Sequence, residues 1–170
     1  MSPLPVSPAP LGRRLAAAIY DGLLLLALWM VALLVDVVLR DLLGLSREWH
    51  ALRAYVFLIG LVFFGWFWTH GGQTLGMRAW RLRLRTSTDR DIGWLAALGR
   101  YAAMIVCWGV VLAPAFLRLP RLAQWPSAPM VSVCALALVA VTLLAWYLDG
   151  RRRMPQDWIS GSEMVLLPKP

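Results

Sequence analysis

From Gly22 to Val35 the chain carries no charged side chain, and the turns just before hold Arg13, Arg14 and Asp21. With Val37–Leu39 the run approaches the roughly 20 apolar residues that cross a bilayer as a helix. Inside lipid the backbone must satisfy its own polar groups, so this segment is helical if it spans. Arg14 and Asp21 are seven residues apart, about two turns, and share a face. The Arg14 stem can bend toward the headgroup layer. Asp21 lies about 10 Å further along the axis, where a carboxylate costs on the order of a few kcal/mol. It must therefore face protein and find a partner. Two roles fit: an ion or proton site, or a helix-end salt bridge that sets depth and packing.

Similar apolar runs recur, giving spans at about 14–39, 52–69, 94–118 and 130–148. The chain is 60% hydrophobic, against about 45–50% in soluble domains. The expected fold is all-α, a polytopic bundle of four transmembrane helices over residues 11–170, with no separate soluble domain among its 170 residues. Residues 1–10 hold four prolines and are expected to be an extended, mobile tail. With no charge before Arg13 and a long apolar run after it, they do not read as a cleaved signal peptide.

The longest polar stretch, 70–93, separates spans two and three. Gly71–Gly72 stops the second helix. Trp80 to Arg85 alternate apolar and basic with period two, a strand signal, so a short extended or hairpin-like element is expected at the membrane surface. Met164–Leu167 is placed to pair with it. Thr86–Asp91 reads as a turn, and Asp91 is positioned to cap the third span. Pro114 is expected to kink that span's far end. Gly71–Gly76 is glycine-rich but lacks the lysine and frame of a phosphate loop.

The net charge is +8. With four spans, Arg13, Arg14, Arg78, Arg81, Arg83, Arg85, Arg90, Arg100, Arg151, Arg152, Arg153 and Lys169 share one side, while Arg40, Arg47, Arg53, Arg118 and Arg121 share the other. The positive-inside rule then makes both termini cytoplasmic. Anionic lipid headgroups are the expected contact, with Trp80, Arg81, Arg83 and Arg85 as candidates; the plainer reading of those residues is a positive-inside loop. Trp49 and Trp125 fit interfacial anchors. Nucleic-acid binding is not expected, since no matching fold is available. Cys107 and Cys134 read as small buried apolar residues. His50 and His70 fall on opposite sides and cannot share a metal. No serine, histidine and acid constellation suggests hydrolysis, so neither enzyme activity nor a cofactor or metal is expected.

Three segments carry a family resemblance: Arg14-Leu-Ala-Ala-Ala-Ile-Tyr-Asp21, Gly72-Gln73-Thr74-Leu75-Gly76-Met77-Arg78, and Gln156-Asp157-Trp158-Ile159-Ser160-Gly161. In this order they resemble the RDD family of small polytopic membrane proteins. The family is named for one arginine and two aspartates, which the resemblance places at Arg14, Asp21 and Asp157. Relatives often carry histidine where this chain has Gln156, and Gly-Thr where it has Gly161-Ser162; if that histidine relays protons in relatives, the role is missing here. The family is largely bacterial and archaeal, which implies the cytoplasmic (inner) membrane.

Antiparallel spans bring Arg14, Asp21, Arg100 and Asp157 to one level, where a buried polar network is expected. The resemblance implies a transport-related role, cation/proton exchange or an accessory subunit of a transporter. Asp21 is then the leading ion or proton site, with Asp157, Arg14 and Arg100 beside it and Asp36 near the opposite face. Such a path needs a homo-oligomer or another membrane protein around one chain of four spans. The alternative is a non-transporting module that binds or assembles a partner protein, with the same charges acting as a structural clasp.

Overall fold

The computed structural model describes residues 7–46, 49–86, 88, 90–120, 122 and 124–168. The elements in order are β1 (Ser7–Pro8), α1 (Leu11–Leu43), α2 (Trp49–Thr69), α3 (Leu75–Ala79), β2 (Leu82–Thr86), α4 (Trp94–Phe116), α5 (Ala128–Leu148), α6 (Pro155–Ile159) and β3 (Ser162–Leu166). Four of the helices, α1, α2, α4 and α5, are long and apolar enough to cross a membrane. The expectations at Arg47, Glu48, Ser87, Asp89, Arg121 and Lys169, and for the Trp49 side chain, lie outside the described residues.

At about 1.5 Å per residue the 33 residues of α1 reach roughly 50 Å, well beyond the roughly 30 Å hydrocarbon thickness. Gly44 ends it in the left-handed region, at φ 63°. Its N–H bonds to Asp41 O, and the Leu45 N–H bonds to Arg40 O, which closes the open carbonyls of the last turn. The buried residues of α1 are Arg14, Ala17, Asp21 and Leu25, a single face at helical spacing. That face packs on α3. Further along, α1 meets α2 through side chains: Trp29 Nε1 donates to Val56 O at 3.1 Å and the Tyr55 hydroxyl to Ala32 O at 3.4 Å.

Helix α4 is the hub, packed against α2, α5 and α6. Two glycines let α2 approach it. A Cβ on Gly60 would stand 1.9 Å from the Tyr101 hydroxyl, and one on Gly65 would stand 2.6 Å from the Trp94 ring. The buried core gathers at one end of the bundle and includes Ala17, Phe64, Trp68, Met77, Leu82, Leu84 and Tyr101. Elsewhere the spans present large apolar side chains outward, as helices solvated by lipid do.

The core is closed by a three-stranded sheet of order β1-β3-β2, antiparallel throughout. The alternation in Trp80–Arg85 does form a strand, and its partner is the Met164 segment rather than a hairpin neighbour: Leu82 faces Leu166, Leu84 faces Met164 and Arg85 faces Glu163. Leu82 and Leu84 are fully buried, so the apolar set lies inward and the arginines outward. The proline-rich tail departs from expectation. Residues 1–6 lie outside the described residues, but Ser7 and Pro8 pair with β3, and Ala9 is fully buried with its N–H on Met164 O. Pro8 can join because it occupies an edge strand, where a missing N–H is tolerated.

Asp91 does not cap α4, whose N-cap is Gly93. It accepts instead from the Gly71 N–H at 2.9 Å and lies 3.6 Å from Arg83. The cysteines also differ from expectation. Cys107 is half-buried and Cys134 exposed, the latter beside an apolar groove between α4 and α5.

Candidate functional site

Two separate sites stand where one network is expected. At the first, Asp157 on α6 is fully buried between two arginines. Arg14 Nη1 donates to its Oδ2 at 2.7 Å and Arg100 Nη1 to its Oδ1 at 2.6 Å. The Met154 N–H donates to Oδ2 as well, at 2.9 Å. Arg14 also reaches Met164 O at 3.3 Å, so one guanidinium grips both α6 and β3. Arg100 donates further to Ser162 and Ser160 at 3.0 and 3.3 Å, and its guanidinium lies 5.2 Å from the Trp68 ring centre. The ring's negative face balances some of the second positive charge.

Burial pushes the Asp157 carboxyl up, but the Arg100 and Arg14 guanidiniums and the Met154 N–H outweigh it and hold the group below the usual carboxylate range. Asp157 is thus a fixed anion that joins α1, α4 and the chain's last segment. Sequence reasoning placed Arg14, Arg100 and Asp157 together, and the structure does so. It missed Ser160 and Ser162, which follow Asp157 closely enough for hydroxyls in that segment to have suggested extra acceptors.

Asp21 is not part of this cluster. It is buried and bonded to the segment after α2. The Thr74 hydroxyl donates to its Oδ2 and the Gly76 N–H to its Oδ1 at 2.8 Å. Thr74 is the N-cap of α3 and accepts from the Met77 N–H at 3.1 Å. One threonine therefore caps α3 and ties it to α1. Gly76 is required by space, since a Cβ there would lie 2.4 Å from Ala17 O and within 3 Å of the Asp21 carboxyl. Thr74 and Gly76 lie in the segment that carries the family resemblance, and a threonine opening a short helix is a cap signal, but neither feature points to Asp21 as their partner. Asp21 has no cationic partner among the described residues.

Asp36 stands apart, bonded to Arg40 one turn later at 2.9 and 3.0 Å. In the candidate lipid-contact segment, Arg85 pairs with Glu163 at 3.1 Å and Arg83 lies 3.6 Å from Asp91. Trp80 is exposed, and Arg81 takes a left-handed backbone at φ 56° as the chain turns from α3 into β2.

No curated protein and no solved structure matches this chain. The RDD family model matches residues 8–161, a span that contains Arg14, Asp21, the Thr74–Gly76 segment and Asp157. Those residues make the two buried joints, and the chain belongs to the RDD family.

Proposed function

We propose that this RDD-family protein is a non-catalytic, non-transporting membrane module that assembles with a partner protein in the bilayer, its Arg/Asp cluster acting as a clasp. The observation that carries the reading is the engagement of Asp157: its two oxygens accept three hydrogen bonds, from Arg14, Arg100 and Met154, in three separate stretches of the chain. A fully buried carboxylate already neutralised by two guanidiniums is a poor place for a transported cation, and its removal would strand two buried cations. The arginine distribution supports a cytoplasmic-membrane orientation with both termini inside.

One observation favours the transport reading as the second choice. Asp21 is a buried acid in a spanning helix without a cationic partner among the described residues, and such groups mark ion or proton sites by default. Proton-coupled cation flux in proteoliposomes separates the two. The module reading expects no flux above empty vesicles for the wild type. Flux that disappears in an equally well-folded Asp21→Asn variant would overturn it and make Asp21 the site.

A further inference from the structure

A small cavity lies outside both buried joints, where the outer face of the sheet meets the turn that follows α5. Its volume is about 100 Å³ and its walls include Pro8, Arg85, Arg151, Glu163 and Val165. The space admits a group of a few heavy atoms. Its chemistry is mixed in sign. Arg85 and Glu163 face each other across β2 and β3, and Arg85 Nε and Nη2 both lie 3.1 Å from Glu163 Oε1. The second Glu163 oxygen takes no partner among the described residues. The exposed Arg151 side chain makes no hydrogen bond or ion pair among the described residues.

The turn that carries Arg151 is itself fixed. The Arg152 N–H bonds to Asp149 O at 2.8 Å, and Asp149 holds Arg153 through its backbone N–H at 2.7 Å and its Nε at 3.1 Å. Hydrogen bonds from Arg153 keep the Asp149 carboxyl below its ordinary range. Arg152 folds back over the Trp146 ring at 5.4 Å. Arg151 is thus presented beside the cavity by a braced turn.

A bare anion in this cavity would meet Glu163, and a bare cation would meet two arginines. A ligand carrying both charges satisfies both walls. The cavity also lies just past Leu148, the last residue of a helix long and apolar enough to span, with Gly150 and Arg151 in its wall and Tyr147 and Leu148 exposed. The end of a spanning helix is where headgroups meet a protein. We propose that this cavity binds the headgroup of a zwitterionic phospholipid with a primary ammonium, the phosphate on Arg151 and the ammonium on the free Glu163 oxygen. The site is independent of the module-or-transporter question, since it uses neither Asp21 nor Asp157.

The test is native mass spectrometry of the full chain, released from detergent in an equimolar mixture of phosphatidylethanolamine, phosphatidylcholine and phosphatidylglycerol. Phosphatidylcholine has the same charges but no N–H to donate. The expected result is retention of phosphatidylethanolamine over phosphatidylcholine by about tenfold, the scale of one charge-assisted hydrogen bond. Arg151→Ala should abolish this retention, and because the side chain has no internal partner the fold is kept. Glu163→Gln should bring the two zwitterionic lipids level. Equal retention of both by the wild type, or a preference for phosphatidylglycerol, would overturn the proposal. Free phosphoethanolamine binding as tightly as the lipid would overturn the assignment to a membrane ligand.

Discussion

Arg14, in the opening turns of α1, donates to Asp157 on α6 across 143 residues of chain, at 2.7 Å and with both side chains buried. Arg100 closes the same carboxylate from α4. The contact welds the chain's first spanning helix to its last short elements. It also gives a costly buried cluster a structural role: it fixes which segments meet.

Asp157→Asn should therefore destabilise strongly. Removing one partner of a buried pair typically costs about 3–5 kcal/mol, and here two guanidiniums lose their counter-charge. Thermal unfolding in detergent, with folded yield by size exclusion, should show a clear drop for Asp157→Asn and for Arg100→Met. A variant as stable as wild type would show the cluster to be dispensable for folding.

The same group sets a pH dependence. Its folded-state carboxyl is held below the ordinary range despite burial, through Arg100 and Arg14. Its contribution is therefore fully present above the unfolded value of about 3.9 and is lost as pH falls through the lower folded value. The Tm gap between wild type and Asp157→Asn should stay constant from neutral pH down to about 4, and narrow only below that. A gap that already closes in mildly acid buffer would mean a raised carboxyl.

Gly76→Ala tests the second joint. Its Cβ would meet the Ala17 carbonyl and the Asp21 carboxyl, so α3 must lift from α1. The expected loss is about 1–3 kcal/mol, the usual range for overpacking. Gly12→Ala, with nothing within 4 Å of the new Cβ, is the control and should be near neutral. Equal melting temperatures for the two variants would contradict the close approach of α3 to α1.

Thr74→Val removes both the hydroxyl donated to Asp21 and the cap on Met77. It keeps the side chain's shape and should cost about 1–3 kcal/mol for the partners left unmet. Thr74→Ser should recover most of that loss, because the hydroxyl returns. Failure of serine to rescue would point to packing rather than hydrogen bonding.

The spans were legible because a continuous apolar run in a chain this hydrophobic has one cheap solution. The strand at Leu82–Thr86 was legible because its period-two pattern survives without knowledge of a partner, and Met164–Leu167 was the apolar stretch available to pair with it. Arg14, Arg100 and Asp157 could be brought together by following the antiparallel course of the spans. The same reasoning wrongly drew Asp21 into that group. It shares a face with Arg14, but the tight turn at Gly71–Gly72 sends Thr74 and Gly76 to it first, and no periodicity encodes that contact. Nor could local sequence show that Arg83 and Arg85 have acids nearby, because Asp91 and Glu163 arrive through tertiary folding.

The clasp itself is tested most directly by hydrogen exchange of β3 in Asp157→Asn, in lipid nanodiscs. If the cluster holds the terminal segment in place, amides of Ser162–Leu166 should lose protection while those of α2 and α4 keep theirs. Unchanged protection of β3 in that variant would contradict the account.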